Sequence, residues 1–324
     1  MKRVIVTGGS GFIGTTAVEY LLSQNYSVLN IDIEPPKIEK HKEFWKNVDI
    51  RNNELLEKEI IKFNPSHILH LAANLGMDVK DIEFFSANTD GVQNLLNIGR
   101  KIPGLQQIVF TSSLLVCKNG YIPKSDTDYC PPNLYGKSKM IGEQLVRDTK
   151  NPNFSWSIVR PTSIWGPWFA YSYRTFFQTI KKGYYFHLGS TKITKPNSFV
   201  GNTVFMMTKI LFAPENEVNQ KTFYLADYPS FTTKEWANTI QQKMGGKPIR
   251  TLPIWFLRMV GYGGDLLKIF GYENFPLTSF RLSNMLTGGS YPIENTMKVC
   301  GELPYSLDDG VAKTINWMKE IKDI

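Results

Sequence analysis

Short apolar runs alternate with segments of helical periodicity through the first half of the chain. Between the first two runs, apolar side chains recur at helical spacing at Ile13, Ala17, Leu21 and Leu22. Strands that alternate with helices are typical of βαβ units, so we predict an α/β fold with a Rossmann-like, doubly wound parallel sheet. The apolar runs that have the length of buried strands are residues 4–6, 28–31, 67–71, 108–110 and 156–159.

This alternation fades after about residue 160, where aromatic side chains, glycine and proline become frequent. We predict that residues 1–160 form the Rossmann domain and that parts of 195–230 return to it. Residues 161–324 are predicted to form mainly a smaller C-terminal lobe that binds the substrate.

Two apolar segments are relevant to whether the chain spans or contacts a membrane. Residues 253–262 contain Arg258 and end in glycines, so this segment cannot span a bilayer. We predict a buried helix there, with a helix at a membrane surface as the alternative. Residues 4–6 are too few for a signal peptide or a membrane span, so we expect a cytoplasmic protein.

Composition and charge narrow the function classes. A chain of 324 residues with 42% hydrophobic residues can bury a full core. Its net charge of +8 comes from scattered Lys and Arg, and a nucleotide-sized anion accounts for that charge without a nucleic-acid partner. Cys117, Cys130 and Cys300 have neither disulfide-framework nor metal-ligand spacing, so we expect no metal.

Three glycines, Gly8, Gly11 and Gly14, lie between the first predicted strand and the first predicted helix. Their missing side chains permit a tight turn and the close approach of a pyrophosphate, while the helix N-terminus attracts phosphate charge. We therefore predict that this turn binds an adenine dinucleotide, with Phe12 and Ile13 between the glycines.

Asp32 ends the second predicted strand, 18 residues after Gly14. At this position a carboxylate can accept hydrogen bonds from the adenosine ribose and repels a 2′-phosphate, which favours NAD over NADP. Lys37 and the Pro35-Pro36 loop keep NADP open as the less favoured alternative.

Tyr135 and Lys139 are spaced to lie one turn apart on one face of a predicted helix. An ammonium next to a phenol lowers the phenol pKa, so Tyr135 is the candidate that moves a proton to or from a substrate hydroxyl. Nicotinamide exchanges a hydride, and the two motifs together therefore complete one oxidation or reduction. Ser113 follows the predicted strand at 108–110 and is the candidate that orients the substrate oxygen.

These motifs resemble the extended short-chain dehydrogenase/reductase family over nearly the whole chain. Residues 7–14 match the family's glycine turn, and Ser113, Tyr135 and Lys139 match its catalytic trio. In this family the lysine also holds the nicotinamide ribose, and the helix that carries it usually packs against a neighbouring subunit. The resemblance therefore implies a homodimer and a second, cofactor-binding role for Lys139.

Other positions match segments that contact the cofactor in this family. The resemblance implies that Asp49 and Ile50 contact the adenine, that Asn88 opens a helix, and that the backbone after Pro161 contacts the carboxamide. The turn after the fourth strand, which lines the cofactor, is matched by Leu71, Ala72 and Ala73.

The chain also departs from particular branches of the family. Nucleotide-sugar dehydratases carry an Asp-Glu pair directly after the catalytic serine or threonine, and here these residues are Leu114 and Leu115. Leucine can neither donate nor accept a proton, which disfavours dehydration. Cys117 replaces a tyrosine that is usual in the family, and we interpret this as a packing change.

Relatives of similar length act mostly on nucleotide sugars, so the resemblance implies such a substrate. Lys195 is a candidate phosphate ligand, with an ordinary solvated lysine as the alternative. Arg281 is a second candidate, with an exposed helix arginine as the alternative. Trp165 is a candidate to stack on the base or sugar, or else to pack in the core.

Our leading hypothesis is an NAD-dependent sugar epimerase or 4-ketoreductase. Residues 199–202 and the tail from Pro276 resemble the 3β-hydroxysteroid dehydrogenase branch, so a hydroxysteroid-type dehydrogenase is the first alternative. A non-catalytic dinucleotide sensor is the second alternative. Intact Ser113, Tyr135 and Lys139 argue against a sensor, because binding alone needs no proton-transfer pair.

Overall fold

The chain forms two compact units. The computed structural model describes residues 2–169, 171–189, 194–270, 278–286, 288–289 and 291–324, with the backbone alone at 171, 172, 269, 280, 281, 284 and 285. The first unit comprises Met1–Phe169, Ser198–Ala226 and Pro292–Pro304. The second comprises Ala170–Asn197, Asp227–Tyr291 and Tyr305–Ile324.

A seven-stranded parallel sheet forms the centre of the first unit. Its strand order is β3-β2-β1-β4-β5-β6-β10, which reverses between β1 and β4 and so confirms the predicted doubly wound fold. The strands of the chain are β1 (Arg3–Thr7), β2 (Ser27–Asp32), β3 (Trp45–Asn47), β4 (His67–His70), β5 (Gln107–Thr111), β6 (Ser155–Pro161), β7 (Ser163–Trp165), β8 (His187–Leu188), β9 (Asn197–Phe199), β10 (Lys221–Leu225) and β11 (Thr251–Leu252).

The middle positions of the central strands are apolar because both faces of the sheet are covered. Ile5 of β1 pairs with Ile68 of β4, and Ile68 pairs with Ile108 of β5. All three side chains are fully buried in one apolar cluster. A strand buried on both faces has a continuous apolar run instead of alternation, which is why these strands were readable from the sequence.

Helices cover the sheet and build the second unit. Helix α3 begins two residues before Asn88, so the expectation that Asn88 opens this helix is wrong; a 3₁₀ turn at Glu83–Phe85 leads into it. The helices are α1 (Phe12–Ser23), α2 (Asn53–Phe63), α3 (Ser86–Gly99), α4 (Leu134–Arg147), α5 (Tyr171–Lys181), α6 (Val200–Phe212), α7 (Glu215–Val218), α8 (Thr233–Met244), α9 (Ile254–Ile269), α10 (Ser279–Leu286), α11 (Glu294–Cys300) and α12 (Leu307–Glu320).

Aromatic side chains form the centre of the second unit. Trp236 of α8 is buried, and its ring lies 4.9 Å from that of Phe176 and 6.2 Å from that of Phe177 on α5. Helix α8 begins with a capping box in which Thr232 and Glu235 satisfy each other's backbone N–H groups. The aromatic composition after residue 160 thus builds a core here.

Helix α9 differs from the buried helix that the apolar run predicts. It carries side chains that are exposed at the surface, including Trp255, Met259 and Tyr262. The prediction of a buried helix is therefore wrong for this segment. Within the described residues, no helix is long and apolar enough to cross a membrane.

Candidate active site

A pocket of about 850 Å³ opens at the carboxyl ends of the parallel strands in the first unit. This is where open α/β sheets bind ligands, and the volume lies in the range of cofactor sites. Most of the predicted cofactor and catalytic residues line it, namely Gly8, Gly11, Phe12, Ile13, Gly14, Asp32, Asp49, Ile50, Leu71, Ala72, Ala73, Ser113, Tyr135, Lys139 and Pro161.

The glycine turn joins β1 to α1 with no room for side chains. Gly8 has φ +73°, and a Cβ on it would lie 2.6 Å from the Ala72 nitrogen. A Cβ on Gly14 would lie 2.6 Å from the Gly9 Cα. Helix α1 begins after Gly11 and has neither a side-chain cap nor an acidic residue in its first turn. Its first N–H groups and its dipole therefore face the pocket and are available to bind a phosphate.

Asp32 lies at the end of β2 and lines the same pocket. One of its carboxylate oxygens accepts a hydrogen bond from the Ser10 backbone N–H at 2.9 Å, and the other accepts one from the Glu34 N–H at 3.0 Å. The Lys37 ammonium donates to the Ser10 carbonyl at 2.7 Å. Asp32 therefore presents a fixed negative charge where a ribose would bind, which suits NAD.

Asp49 and Ile50 form another part of the pocket wall. Arg51 clamps the Asp49 carboxylate, with Nη2–Oδ2 at 2.6 Å and Nε–Oδ1 at 3.0 Å. The hydrogen bonds from Arg51 hold the pKa of the Asp49 carboxyl below its usual value. Ile50 packs against Gly91 of α3, where a Cβ would lie 2.8 Å from the Ile50 Cγ1.

Asn88 is buried, and it is not among the described residues that line the large pocket. Its Oδ1 accepts a hydrogen bond from the Asn74 N–H at 2.8 Å, and its Nδ2 donates to the Ser138 Oγ at 2.9 Å. Asn88 thus ties the segment after Ala73 to α4, the helix that carries Tyr135.

Tyr135 and Lys139 lie one turn apart near the start of α4, and both side chains are buried at the pocket. The Asn133 side chain caps this helix by accepting from the Gly136 N–H at 2.9 Å. Ser113 follows β5 and caps the short 3₁₀ turn Leu114–Val116. The structure therefore brings the three predicted catalytic residues to one wall of the pocket.

The pKa of Tyr135 differs from the sequence-based expectation. Burial raises the pKa of this phenol, and the Ser113 hydroxyl opposes that rise only in part. The expected net lowering by Lys139 is therefore wrong for this structure. The phenol is held in its protonated form, which suits a proton donor.

Lys139 is itself perturbed by burial. Its ammonium donates to the Thr111 carbonyl at 2.9 Å. Burial lowers the pKa of Lys139 to about 8, although the nearby Glu143 carboxylate acts in the opposite direction. The positive charge at this position is thus present at neutral pH and is lost as the pH rises through about 8.

His70 lies next to this wall but is not a proton-transfer group at neutral pH. Its Nδ1 is 2.7 Å from the Thr7 Oγ1. Burial lowers the pKa of His70 to about 3, so the imidazole is neutral. Tyr135 thus remains the candidate acid and base.

A buried ion pair behind Lys139 escaped the sequence analysis. Glu143 of α4 binds Arg160 of β6, with Nε–Oε1 at 2.8 Å and Nη2–Oε2 at 2.7 Å. Burial would raise the pKa of the Glu143 carboxyl, but the Arg160 guanidinium, with Ser112 and Arg147, outweighs it and the net pKa is lowered. The spacing of Glu143 from Tyr135 and Lys139 on one face of the predicted helix was a signal that could have identified Glu143.

Replacing Glu143 with glutamine is expected to lower the free energy of unfolding by about 3–5 kcal/mol, because Arg160 is left buried with an uncompensated charge. Urea unfolding followed by circular dichroism measures this loss. Glu39→Gln is the matched control, since Glu39 pairs with Lys42 at 2.8 Å in an exposed ion pair and should lose less than about 1 kcal/mol. Equal losses in both variants would contradict a structural role for the buried pair.

Trp165, the first of the three predicted substrate residues, is not among the described residues that line this pocket. Trp165 is fully buried, and its ring lies 5.2 Å from that of Phe199, so it packs in the core. Lys195 belongs to the second unit, where burial lowers its pKa. Arg281 lies on α10, and its side chain is outside the described part of the structure.

The doubly wound sheet, the bare helix N-terminus and the Ser-Tyr-Lys wall define a class of dinucleotide-dependent enzymes that oxidise or reduce an alcohol. The glycine turn and Asp32 both fit NAD. The turn leaves space that a Cβ would fill, and the Asp32 carboxylate would repel the 2′-phosphate of NADP. The chain belongs to the NAD-dependent epimerase/dehydratase family, whose model matches residues 4–216. The resemblance stated from the motifs is confirmed, and NAD is the cofactor.

Similarity to individual proteins extends beyond the region that the family model covers. The chain is 25% identical over 322 residues to N-acetyl-α-D-glucosaminyl-diphospho-ditrans,octacis-undecaprenol 4-epimerase of Escherichia coli O157:H7, covering 97% of this chain and 95% of that protein. It is 27% identical over 265 residues to 3-beta-hydroxysteroid dehydrogenase of Mycolicibacterium neoaurum, covering 76% and 70%. UDP-glucose 4-epimerase of Thermotoga maritima shares the fold, with a TM-score of 0.74, 17% identity and 99% coverage of both chains.

Proposed function

We propose that this protein is an NAD-dependent sugar epimerase that uses Tyr135 as acid and base. The observation that carries the proposal is that Ser113, Tyr135 and Lys139 line the same pocket as the glycine turn and Asp32. A proton-transfer group and a hydride-exchanging cofactor in one pocket are what the oxidation of a secondary alcohol requires.

The chemistry is divided between the cofactor and the chain. NAD, when bound, supplies a nicotinamide ring that accepts or returns a hydride. Oxidation of the substrate alcohol requires the Tyr135 phenolate, which forms once the phenol has given up its proton to solvent; the phenolate then takes the proton from the substrate hydroxyl, and the resulting phenol returns it during reduction. The Ser113 hydroxyl orients the substrate oxygen, and its hydrogen bond to Tyr135 favours the negative charge that Tyr135 develops when it gives up its proton.

Buried contacts hold this constellation in place. Asn88 fixes the start of α4 through Ser138, and the Glu143–Arg160 pair fixes its middle against β6. Asn88, Glu143 and Arg160 act as positioning residues, because none of them is among the described residues that line the large pocket. Such rigid support keeps reacting groups at productive distances.

The substrate we propose is a sugar linked to a diphosphate, with a nucleotide sugar as the first choice. The similar protein from Escherichia coli acts on a sugar joined by a diphosphate to undecaprenol, and the Thermotoga maritima enzyme is a UDP-glucose 4-epimerase. Both substrates share a sugar diphosphate. Lys195 of the second unit is the candidate that binds a phosphate as a point charge.

An epimerase and a ketoreductase differ in the turnover of NAD. An epimerase returns the hydride to the same sugar, while a reductase releases oxidised cofactor after one transfer. Incubation with UDP-glucose and UDP-N-acetylglucosamine, followed by NMR of the sugar and absorbance of NADH, separates them. We expect inversion at one carbon with no net formation of NADH. Consumption of one equivalent of NAD(H) per product would contradict the epimerase and favour a reductase.

Lys139 makes NAD affinity dependent on pH. Its pKa of about 8 means that the ammonium is present below pH 8 and is lost above it. We expect the dissociation constant of NAD to rise by about tenfold between pH 7 and pH 9, because one charge-assisted hydrogen bond is lost. Isothermal titration calorimetry measures this, with Lys139→Met as the control whose affinity should be lower and flat over that range. A flat profile for the unaltered protein would remove Lys139 from the cofactor site.

A hydroxysteroid-type dehydrogenase is the second candidate, and similarity to the Mycolicibacterium neoaurum enzyme supports it. Competition in a thermal shift assay distinguishes the two substrate classes in the presence of NAD. Stabilisation by UDP-sugars and not by 3β-hydroxysterols favours the epimerase. The reverse result would favour the dehydrogenase.

The proposal includes a homodimer in the cytoplasm. In the family this protein belongs to, the helix that corresponds to α4 usually packs against a second subunit. Light scattering coupled to size-exclusion chromatography measures the mass, and a mass near 37.0 kDa, that of one chain, would contradict the dimer.

A further inference from the structure

Helix α9 presents a continuous apolar stripe to solvent, which the proposed chemistry does not use. The stripe residues are between 55% and 71% exposed. Their spacing of three or four residues places them on one side of the helix over four turns. We call this set the α9 stripe, and it consists of Trp255, Met259, Tyr262, Leu266 and Phe270.

The opposite side of α9 packs within the second unit. Leu257, Gly261 and Gly264 are buried. Gly261 lies against α10, because a Cβ there would be 3.2 Å from the Ser279 nitrogen. The Ser279 N–H also donates to the Asp265 Oδ1 at 3.2 Å. The helix is thus anchored by its other side, and its apolar stripe faces outward.

Basic side chains flank the stripe. Arg258 borders the stripe on α9, and Lys247 and Arg250 precede the helix; all three are exposed. Asp265 is the one acidic residue between positions 247 and 270. An apolar stripe with a basic border matches an anionic lipid surface, in which acyl chains lie below a layer of phosphates.

The composition of the stripe favours lipid over another copy of the chain. Tryptophan and tyrosine prefer the boundary between headgroups and acyl chains, where the ring is buried and the polar atom stays hydrated. In a symmetric pair the same surface meets itself, so the basic borders of two copies would face each other and repel. An anionic bilayer neutralises the same border.

We propose that α9 docks this protein on the surface of an anionic lipid bilayer. The helix lies parallel to the surface, with the α9 stripe among the upper acyl chains and Arg258 at the phosphates. At 16 residues with Arg, Asp and Lys within it, α9 is too short and too polar to cross the bilayer. This proposal depends on α9 alone and stands whichever sugar alcohol reacts.

Vesicle co-sedimentation of the full-length protein tests the proposal. The probes are vesicles of phosphatidylcholine with one quarter phosphatidylglycerol and vesicles of phosphatidylcholine alone. The protein is expected to bind the anionic vesicles at least about tenfold more strongly and to release them in high salt. The test variant is Met259→Glu with Leu266→Glu, whose partition coefficient should fall at least about tenfold because two charges enter the interface. Ile61→Glu with Ile122→Glu is the matched control at exposed apolar positions elsewhere, and its binding should not change.

A second variant guards against a loss of folding. Arg250→Glu with Arg258→Glu leaves the stripe intact and should remove the preference for anionic vesicles, while circular dichroism and NAD binding stay unchanged. The proposal is overturned if the unaltered protein binds neither kind of vesicle, or if the Met259/Leu266 variant binds as strongly as the control. It is also overturned if that variant instead halves the mass measured by light scattering, because the stripe would then be covered by a second copy.

Discussion

Replacing Tyr135 with phenylalanine should lower kcat by about 10²- to 10⁴-fold, the usual contribution of a positioned acid or base. The phenol oxygen is the only atom removed, and the ring still fills its buried position in α4. The glycine turn and Asp32, which hold the other end of the cofactor, are untouched. The dissociation constant of NAD should therefore change by less than about threefold, within about 0.7 kcal/mol.

The matched control for this variant is Tyr26→Phe. Tyr26 stacks on Phe212 with ring centroids 4.7 Å apart, and it does not line the pocket among the described residues. Removal of the Tyr26 hydroxyl should leave kcat within about twofold of that of the unaltered enzyme. A Tyr135→Phe enzyme that keeps more than about a tenth of the activity would show that another group moves the proton.

Replacing Gly14 with alanine should abolish NAD binding under ordinary assay conditions. The new Cβ would lie 2.6 Å from the Gly9 Cα and would also collide with the Gly8 carbonyl. These contacts are backbone atoms of the same turn, so no side chain can rotate away to relieve them. We expect NAD affinity to fall at least about 100-fold, or about 2.7 kcal/mol, with about 1–3 kcal/mol lost from folding.

Gly104→Ala is the matched control for the glycine turn. Nothing lies within 4 Å of a Cβ at Gly104, so stability and NAD affinity should stay within experimental error. Calorimetry with NAD and urea unfolding of both variants measure the two effects. Tight NAD binding by the Gly14→Ala variant would show that the turn does not hold the pyrophosphate.

The parts of the fold that were predictable are those in which local pattern and tertiary environment agree. Buried strands such as β1 and β5 have continuous apolar runs, and the glycine turn follows directly from β1. Strand β3 was missed because its three residues, Trp45–Asn47, include no apolar run. An edge strand of this kind is defined by its neighbour β2, which a single segment does not reveal.

The catalytic site was predictable in its residues but not in its electrostatics. The spacing of Tyr135 and Lys139 placed both on one helix face, and the structure has them there. The direction of the Tyr135 pKa depends on burial, which is a property of the assembled fold. The partner of Glu143 comes from β6, 17 residues further along the chain, so helix periodicity could not identify it.

The packing of helix α9 also could not be predicted from its sequence alone. Its apolar run predicts a helix, but the run does not indicate how much of the helix circumference other elements cover. In the structure Leu257 is covered while Trp255 and Met259 are exposed. The alternative of a membrane-surface helix, left open by the sequence, stays a proposal that the vesicle experiment tests.

The central claim, hydride exchange at a sugar alcohol, is tested most directly with a substrate deuterated at the reacting carbon. A UDP-sugar carrying deuterium at C4 is incubated with the protein in ordinary water, and the inverted product is analysed by NMR and mass spectrometry. We expect the product to retain its deuterium, because the hydride leaves to the cofactor and returns to the same carbon. We also expect no inversion with the Tyr135→Phe variant. Loss of the deuterium to solvent during inversion would contradict hydride exchange and replace it with proton abstraction from carbon.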